Sequence, residues 1–169
     1  RVSFKIQVKA TTHWGVISIG ELSQLEPCPA GLTAFAMKTD QPLTLLGGLT
    51  PAQFMQRHWH KKPLLVRQAI PGFAPPVLRT QLLALAGQEG VESRLIQHQE
   101  TGWTLRHGPF ARRALPTLQT PRWTLLVQGV DLHDDAVHAL MQQFRFVPEA
   151  RLDDLMISYA TDGGGVGPH

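Results

Sequence analysis

The end of the chain carries the residues whose types and spacing best suit chemistry. Asp153-Asp154-Leu155-Met156-Ile157-Ser158-Tyr159 runs into Ala160-Thr161-Asp162-Gly163-Gly164-Gly165-Val166-Gly167-Pro168-His169. Apolar, β-branched and aromatic residues cluster in the first part without a helical period, which predicts a strand. Neighbours on a strand point to opposite faces. Asp154, Met156 and Ser158 therefore share one face, and Leu155, Ile157 and Tyr159 share the other. The second face reads as core. The first combines a carboxylate, a thioether and a hydroxyl, which suits the lining of a pocket.

The turn after the strand holds four glycines within five positions, Gly163, Gly164, Gly165 and Gly167. Each glycine held in fixed structure costs roughly 0.5–1 kcal/mol relative to alanine, so the backbone here must turn sharply or approach something closely. No Lys-Ser/Thr pair and no helical pattern follow, which excludes a phosphate-binding loop. Taken alone, the glycines fit a plain turn or bulge. The turn delivers His169, and taken alone a single histidine reads as structural rather than as a ligand.

Other histidines offer less. His58 and His60 lie two apart on a predicted helix, so they diverge by about 200° and cannot chelate one ion together. They read as structural or surface residues. His98 and His107 flank a predicted hairpin, but no carboxylate stands at fixed spacing beside them, and they read as exposed strand-end residues.

The elements that must position these residues are legible in outline. Thr50 can cap a helix, Pro51 suits its first position and Gln53 completes a capping box. Phe54, Met55, His58 and Trp59 form its packing side, Pro63 ends it, and Leu64-Leu65-Val66 reads as a short buried strand. Pro71, Pro75 and Pro76 mark a loop. Leu78, Leu82, Leu85 and Ala86 then line one side of a second helix that stops at Gly87. Residues 94–97 and 103–106 predict a hairpin around Gly102. Residues 111–121 read as loop, and 123–127 as a continuously apolar, buried strand. Asp131 or His133 can cap the next helix, with Asp134 and Asp135 in its first turn. Val137, Leu140, Met141 and Phe144 repeat at helical spacing toward a core. Helices and strands alternate without a regular βαβ period, so the predicted class is α+β.

Together these strings resemble the JmjC-type ribosomal oxygenases, a cupin-fold branch of the Fe(II)/2-oxoglutarate oxygenases. The resemblance is to the bacterial members that hydroxylate an arginine of a large-subunit ribosomal protein. It rests on Asp154-Leu155-Met156-Ile157-Ser158 with the glycine turn, on Ser93-Arg94-Leu95-Ile96 with His98-Gln99, on His107-Gly108-Pro109-Phe110, and on Trp123-Thr124-Leu125-Leu126-Val127-Gln128. It covers the chain from about Gly47 to the end, the front part of the family's domain.

The resemblance implies the N-terminal portion of a JmjC/cupin double-stranded β-helix over residues 37–169, with flanking helices and an incomplete barrel. It implies that His169 is the first iron ligand. Non-haem oxygenases of this kind hold Fe(II) by two histidines and one carboxylate and leave positions open for 2-oxoglutarate and oxygen. In the family the carboxylate follows two residues after that histidine, and the second histidine and the 2-oxoglutarate anchor lie much further on. All fall outside this chain, so residues 1–169 alone are expected to be inactive. The resemblance also implies that Asp154 and Met156 help line the pocket for the target arginine. A guanidinium stays charged and is best met by a carboxylate, and its aliphatic stem packs on a thioether. The competing readings are a strand-edge carboxylate paired within the fold for Asp154 and ordinary core for Met156.

Two other functions compete: a cupin-like binding module without turnover, and a JmjC oxygenase of another side chain such as histidine. An acidic residue two positions beyond His169 separates the enzyme from the module. The implied partner is a large-subunit ribosomal protein. A homodimer stays open for the intact protein, because the family's dimerising region would lie beyond residue 169.

Residues 1–36 match nothing in the family. Phe4, Ile6 and Val8 alternate as in a strand, and a loop-like stretch follows at Glu26-Pro27-Cys28-Pro29-Ala30-Gly31. Met37-Lys38-Thr39-Asp40 looks like a protein start. Residues 1–36 are therefore expected to be an extension, either upstream sequence translated in frame or a genuine extra strand and linker, and to pack poorly on the rest.

Composition sets the remaining bounds. A length of 169 residues with 43% hydrophobic residues can bury one real core. The formal charge of +3 is mild, with no basic run, so nothing asks for a nucleic-acid site. The single cysteine, Cys28, excludes an intrachain disulfide and fits a reducing compartment. No apolar run approaches the roughly 20 residues that span a bilayer, and the cytoplasm is the expected location.

Overall fold

A computed structural model describes residues 3–10, as backbone, and residues 40–166. Its frame is one antiparallel sheet of five strands: β1 (Ser3–Ala10), β2 (Ser93–Gln99), β3 (Gly102–His107), β4 (Trp123–Val127) and β5 (Leu152–Ala160). Their order across the sheet is β1-β5-β4-β2-β3. Among the described residues, three short α-helices accompany it: α1 (Pro51–Arg57), α2 (Arg79–Leu85) and α3 (Asp135–Gln142). Mixed helices and an antiparallel sheet agree with the α+β expectation. Among the described residues, no helix is long and apolar enough to cross a membrane.

Pairing register sorts the side chains, because directly opposed residues share a face. Leu125 faces Leu95 and Tyr159, and Val127 faces Ser93 and Ile157. Leu95, Leu125, Val127, Leu155, Ile157 and Tyr159 are all buried and form one cluster with Leu82 of α2 and Val137, Leu140 and Met141 of α3. Trp123 and Tyr159 close the cluster, with ring centroids 5.4 Å apart. Burying a large apolar side chain contributes about 1.5–3 kcal/mol, so this face holds most of the driving force for folding.

Local signals of the sequence are realised at several ends. The Thr50 side chain accepts from the Gln53 N–H at 3.2 Å, and the Gln53 side chain accepts from the Thr50 N–H at 3.0 Å, completing the capping box of α1. The hairpin pairs Arg94 with His107 and Gln97 with Thr104, and closes at Gln99 opposite Gly102.

Three expectations are corrected. Residues 64–66 form no strand, and Leu65 is 73% exposed; three apolar residues without a neighbouring strand have no ladder to join. The cap of α3 is Asp134, whose Oδ1 accepts from the N–H groups of Ala136 and Val137 at 3.0 and 3.1 Å, rather than Asp131 or His133. Leu78 stands exposed before α2, its N–H donating to the Gln81 side chain, so only Leu82, Leu85 and Ala86 of that apolar set are buried.

The N-terminal residues hold a further difference. β1 pairs antiparallel with β5, from Ser3 opposite Ala160 to Ala10 opposite Leu152. This part of residues 1–36 shares the sheet rather than standing apart from it. Residues 11–39, with Cys28 and Met37, lie outside the described residues.

Candidate functional site

The sheet face opposite the core carries the sequence-predicted pair. Along β5, Asp154, Met156 and Ser158 occupy it, as the period of two requires. Ser158 lies opposite Leu126, which lies opposite Arg94, which lies opposite His107. Thr124, Ile96 and Leu105 form a parallel row, and His98 with Trp103 another. The face thus runs from a carboxylate and a thioether at one side to an exposed tryptophan at the other. Met156, Leu126 and Thr124 are buried, yet Met156 and Leu126 are not part of the main core cluster.

Asp154 is fixed by the turn that follows β4. The Gly129 N–H donates to Asp154 Oδ2 at 3.0 Å, and Gln128 Nε2 approaches the same oxygen at 3.5 Å. Gly129 adopts φ +61°, a left-handed conformation that glycine accepts without steric cost. Asp131 of the same turn accepts from the Leu155 N–H at 2.8 Å. The turn and the start of β5 therefore hold each other, and the carboxylate of Asp154 is both tied into the fold and set on the candidate face.

The glycine turn folds onto this same face. A Cβ on Gly164 would stand 2.5 Å from the Trp123 carbonyl oxygen and 3.0 Å from Thr124 Oγ1, so the close approach inferred from the sequence is real there. A Cβ on Gly165 would stand 4.0 Å from the Trp103 ring. Trp123 and Thr161 exchange hydrogen bonds that anchor the turn's entry. His169 lies outside the described residues.

Among the described residues, the other histidines assemble no metal set. His58 stacks on Phe54 at 6.1 Å and its Nδ1 lies 3.3 Å from the Pro63 carbonyl oxygen. His98 stacks on Trp103 at 4.5 Å. Among the described residues, no three His, Cys, Asp or Glu side chains gather where they could hold a metal. Arg94, a cation on the candidate face, pairs with Glu92 at 3.1 Å.

Sequence reasoning placed Asp154 and Met156 correctly on one face and missed the groups around them. Gln128 and Gly129 were overlooked as partners of Asp154. Continuing the alternation of Thr124 and Leu126 by one step would have put Gln128 on the same face. His98 and His107 are exposed at strand ends, as expected, and the hairpin register sets His98 against Trp103.

Comparison with known proteins decides the family. No protein-family model matches the chain. It is 42% identical over 116 residues to ribosomal protein uL16 3-hydroxylase of Escherichia coli, covering 69% of this chain and 31% of that protein. The chain belongs with the bacterial ribosomal oxygenases. A probable ribosomal oxygenase of Haemophilus influenzae is 31% identical, covering 72% of this chain and 30% of that protein. The fold agrees: YcfD, a ribosomal oxygenase from Escherichia coli, superposes with a TM-score of 0.66 at 41% identity, over 72% of this chain and 33% of that one. The same oxygenase has been solved with cobalt and 2-oxoglutarate, at 40% identity and the same TM-score. The chain spans about a third of the length of the ribosomal oxygenases it matches.

Proposed function

We propose that the full-length protein carrying this chain is an Fe(II)- and 2-oxoglutarate-dependent hydroxylase of an arginine in a large-subunit ribosomal protein, with uL16 as the candidate substrate. The observation that carries the reading is the placement of Asp154 and Met156 together on the non-core sheet face, with the carboxylate held by the Gly129 N–H. A fixed carboxylate beside a thioether suits a guanidinium and its aliphatic stem.

In this reading residues 37–169 form the front of a JmjC/cupin barrel, and strands outside this chain complete it. Residues 1–36 are an extension to that domain, of which Ser3–Ala10 adds a strand. His169 is one iron ligand, and the other ligands and the 2-oxoglutarate anchor are supplied from outside residues 1–169, which alone are inactive. When bound, the iron and 2-oxoglutarate supply the oxidising chemistry. The described residues bind and orient the target side chain: Asp154 meets its charge, Met156 packs its stem, and the glycine turn lets the backbone fold closely over the face. A ribosomal substrate makes the cytoplasm the compartment of action.

The test is turnover by the full-length protein with Fe(II) and 2-oxoglutarate. Peptides of uL16 carrying arginine, or histidine in its place, are followed by mass spectrometry beside succinate release. Addition of one oxygen to the arginine peptide supports the proposal. Oxidation of the histidine peptide alone, or no 2-oxoglutarate turnover with any peptide, overturns it.

A further inference from the structure

Gln128 ends the strand-to-turn segment beside Asp154, and its side-chain amide is used on one side only. Nε2 lies 3.5 Å from Asp154 Oδ2. Oε1 is buried and has no hydrogen-bond partner among the described residues. Flipping the amide would set two acceptors against each other, so the carboxylate fixes which end is which. A buried acceptor without a partner is costly and needs a reason. The main chain at Gln128 is held, because its N–H donates to the Glu92 carbonyl at 2.9 Å and its neighbour Gly129 is bonded to Asp154.

We infer that Gln128 is a specificity-determining residue for the guanidinium group, its Oε1 accepting an N–H from the side chain whose charge Asp154 meets. This rests on the arginine reading above. A guanidinium presents five N–H donors in a planar fork and can engage two separate acceptors at once. A lysine ammonium is a compact point charge that a single carboxylate can satisfy. Carboxylate and amide oxygen together therefore select the fork over the point charge. Arg94, a cation on the same face, pairs with Glu92 through one nitrogen and keeps a buried Nε–H without a partner, but it makes no hydrogen bond to Gln128 Oε1.

Calorimetric titration of the full-length protein tests this with a uL16 peptide carrying arginine and with the same peptide carrying lysine. Gln128→Met keeps the volume and removes the acceptor. It is expected to weaken the arginine peptide at least about tenfold and the lysine peptide less than about threefold. Equal losses on both peptides, or no loss on either, overturn the inference; equal losses would mean that Oε1 only holds water or supports the turn. The thermal midpoint of Gln128→Met, measured beside that of the unaltered protein, guards against a folding defect. An arginine-selective loss at an unchanged midpoint supports the contact. Asp154→Asn separates the two levels. If it weakens the arginine peptide while Gln128→Met does not, the arginine reading stands and the role of Gln128 falls. If neither variant matters, both fall.

Discussion

The Gly129 N–H donates to Oδ2 of Asp154 at 3.0 Å, across 25 residues of sequence. Asp154→Asn keeps an oxygen for that donor and removes the charge. Hydroxylation of the arginine peptide is expected to fall at least about tenfold, a loss of ~1.4 kcal/mol in the transition state. The measurement is oxygen incorporation by mass spectrometry, with the thermal midpoint of the variant as control. Unchanged hydroxylation would mean that Asp154 serves only the fold.

Gly164 and Gly165 are neighbours with opposite tolerance. A Cβ on Gly164 would stand 2.5 Å from the Trp123 carbonyl oxygen and 2.9 Å from that of Thr161, both backbone atoms of paired structure. One on Gly165 meets only the Trp103 ring at 4.0 Å. Gly164→Ala should destabilise by about 1–3 kcal/mol, in the range of overpacking, and Gly165→Ala by less than about 0.5 kcal/mol. Urea unfolding of the two variants checks the difference.

Asp131 and Asp134 lie in one acidic cluster but serve different partners. Asp131→Ala leaves the Leu155 N–H without its 2.8 Å acceptor, which should cost about 1–3 kcal/mol. Asp134→Ala removes the α3 cap, which should cost about 0.5–2 kcal/mol. Both should move the urea midpoint without changing the slope. A silent Asp131→Ala would remove the turn's hold on β5.

β1 covers the β5 edge along a register from Ser3–Ala160 to Ala10–Leu152. Deleting residues 1–36 from the 169-residue chain exposes that edge, and open edges invite association. The thermal midpoint should drop by at least about 5 °C, roughly 2 kcal/mol for a chain of this size, with increased light scattering. An unchanged midpoint would return residues 1–36 to the role of an appendage.

The described residues gather no metal set, and a metal site needs its full ligand count and supporting shell. With His169 the one proposed ligand within it, the 169-residue chain should bind Fe(II) weakly and turn over no 2-oxoglutarate. Tight stoichiometric binding in an anaerobic titration would point to a ligand set other than the one proposed through His169.

The sequence by itself determined what depends on near neighbours. The period of two put Leu155, Ile157 and Tyr159 in the core and Asp154 with Met156 on the other face, because a strand's alternation is intrinsic to its backbone. The Thr50–Gln53 capping box and the hairpin at Gly102 followed for the same reason, since their partners lie within a few residues. The resemblance carried by the longer strings named the family. Tertiary structure alone decided which turn holds Asp154, because Gly129 and Gln128 reach it only once β4 and β5 pair in register. It decided that Leu65 is exposed, since an apolar triplet is buried only if another element arrives to cover it. It also decided that Ser3–Ala10 shares the sheet: alternation proposes a strand, but only an available edge gives it a partner.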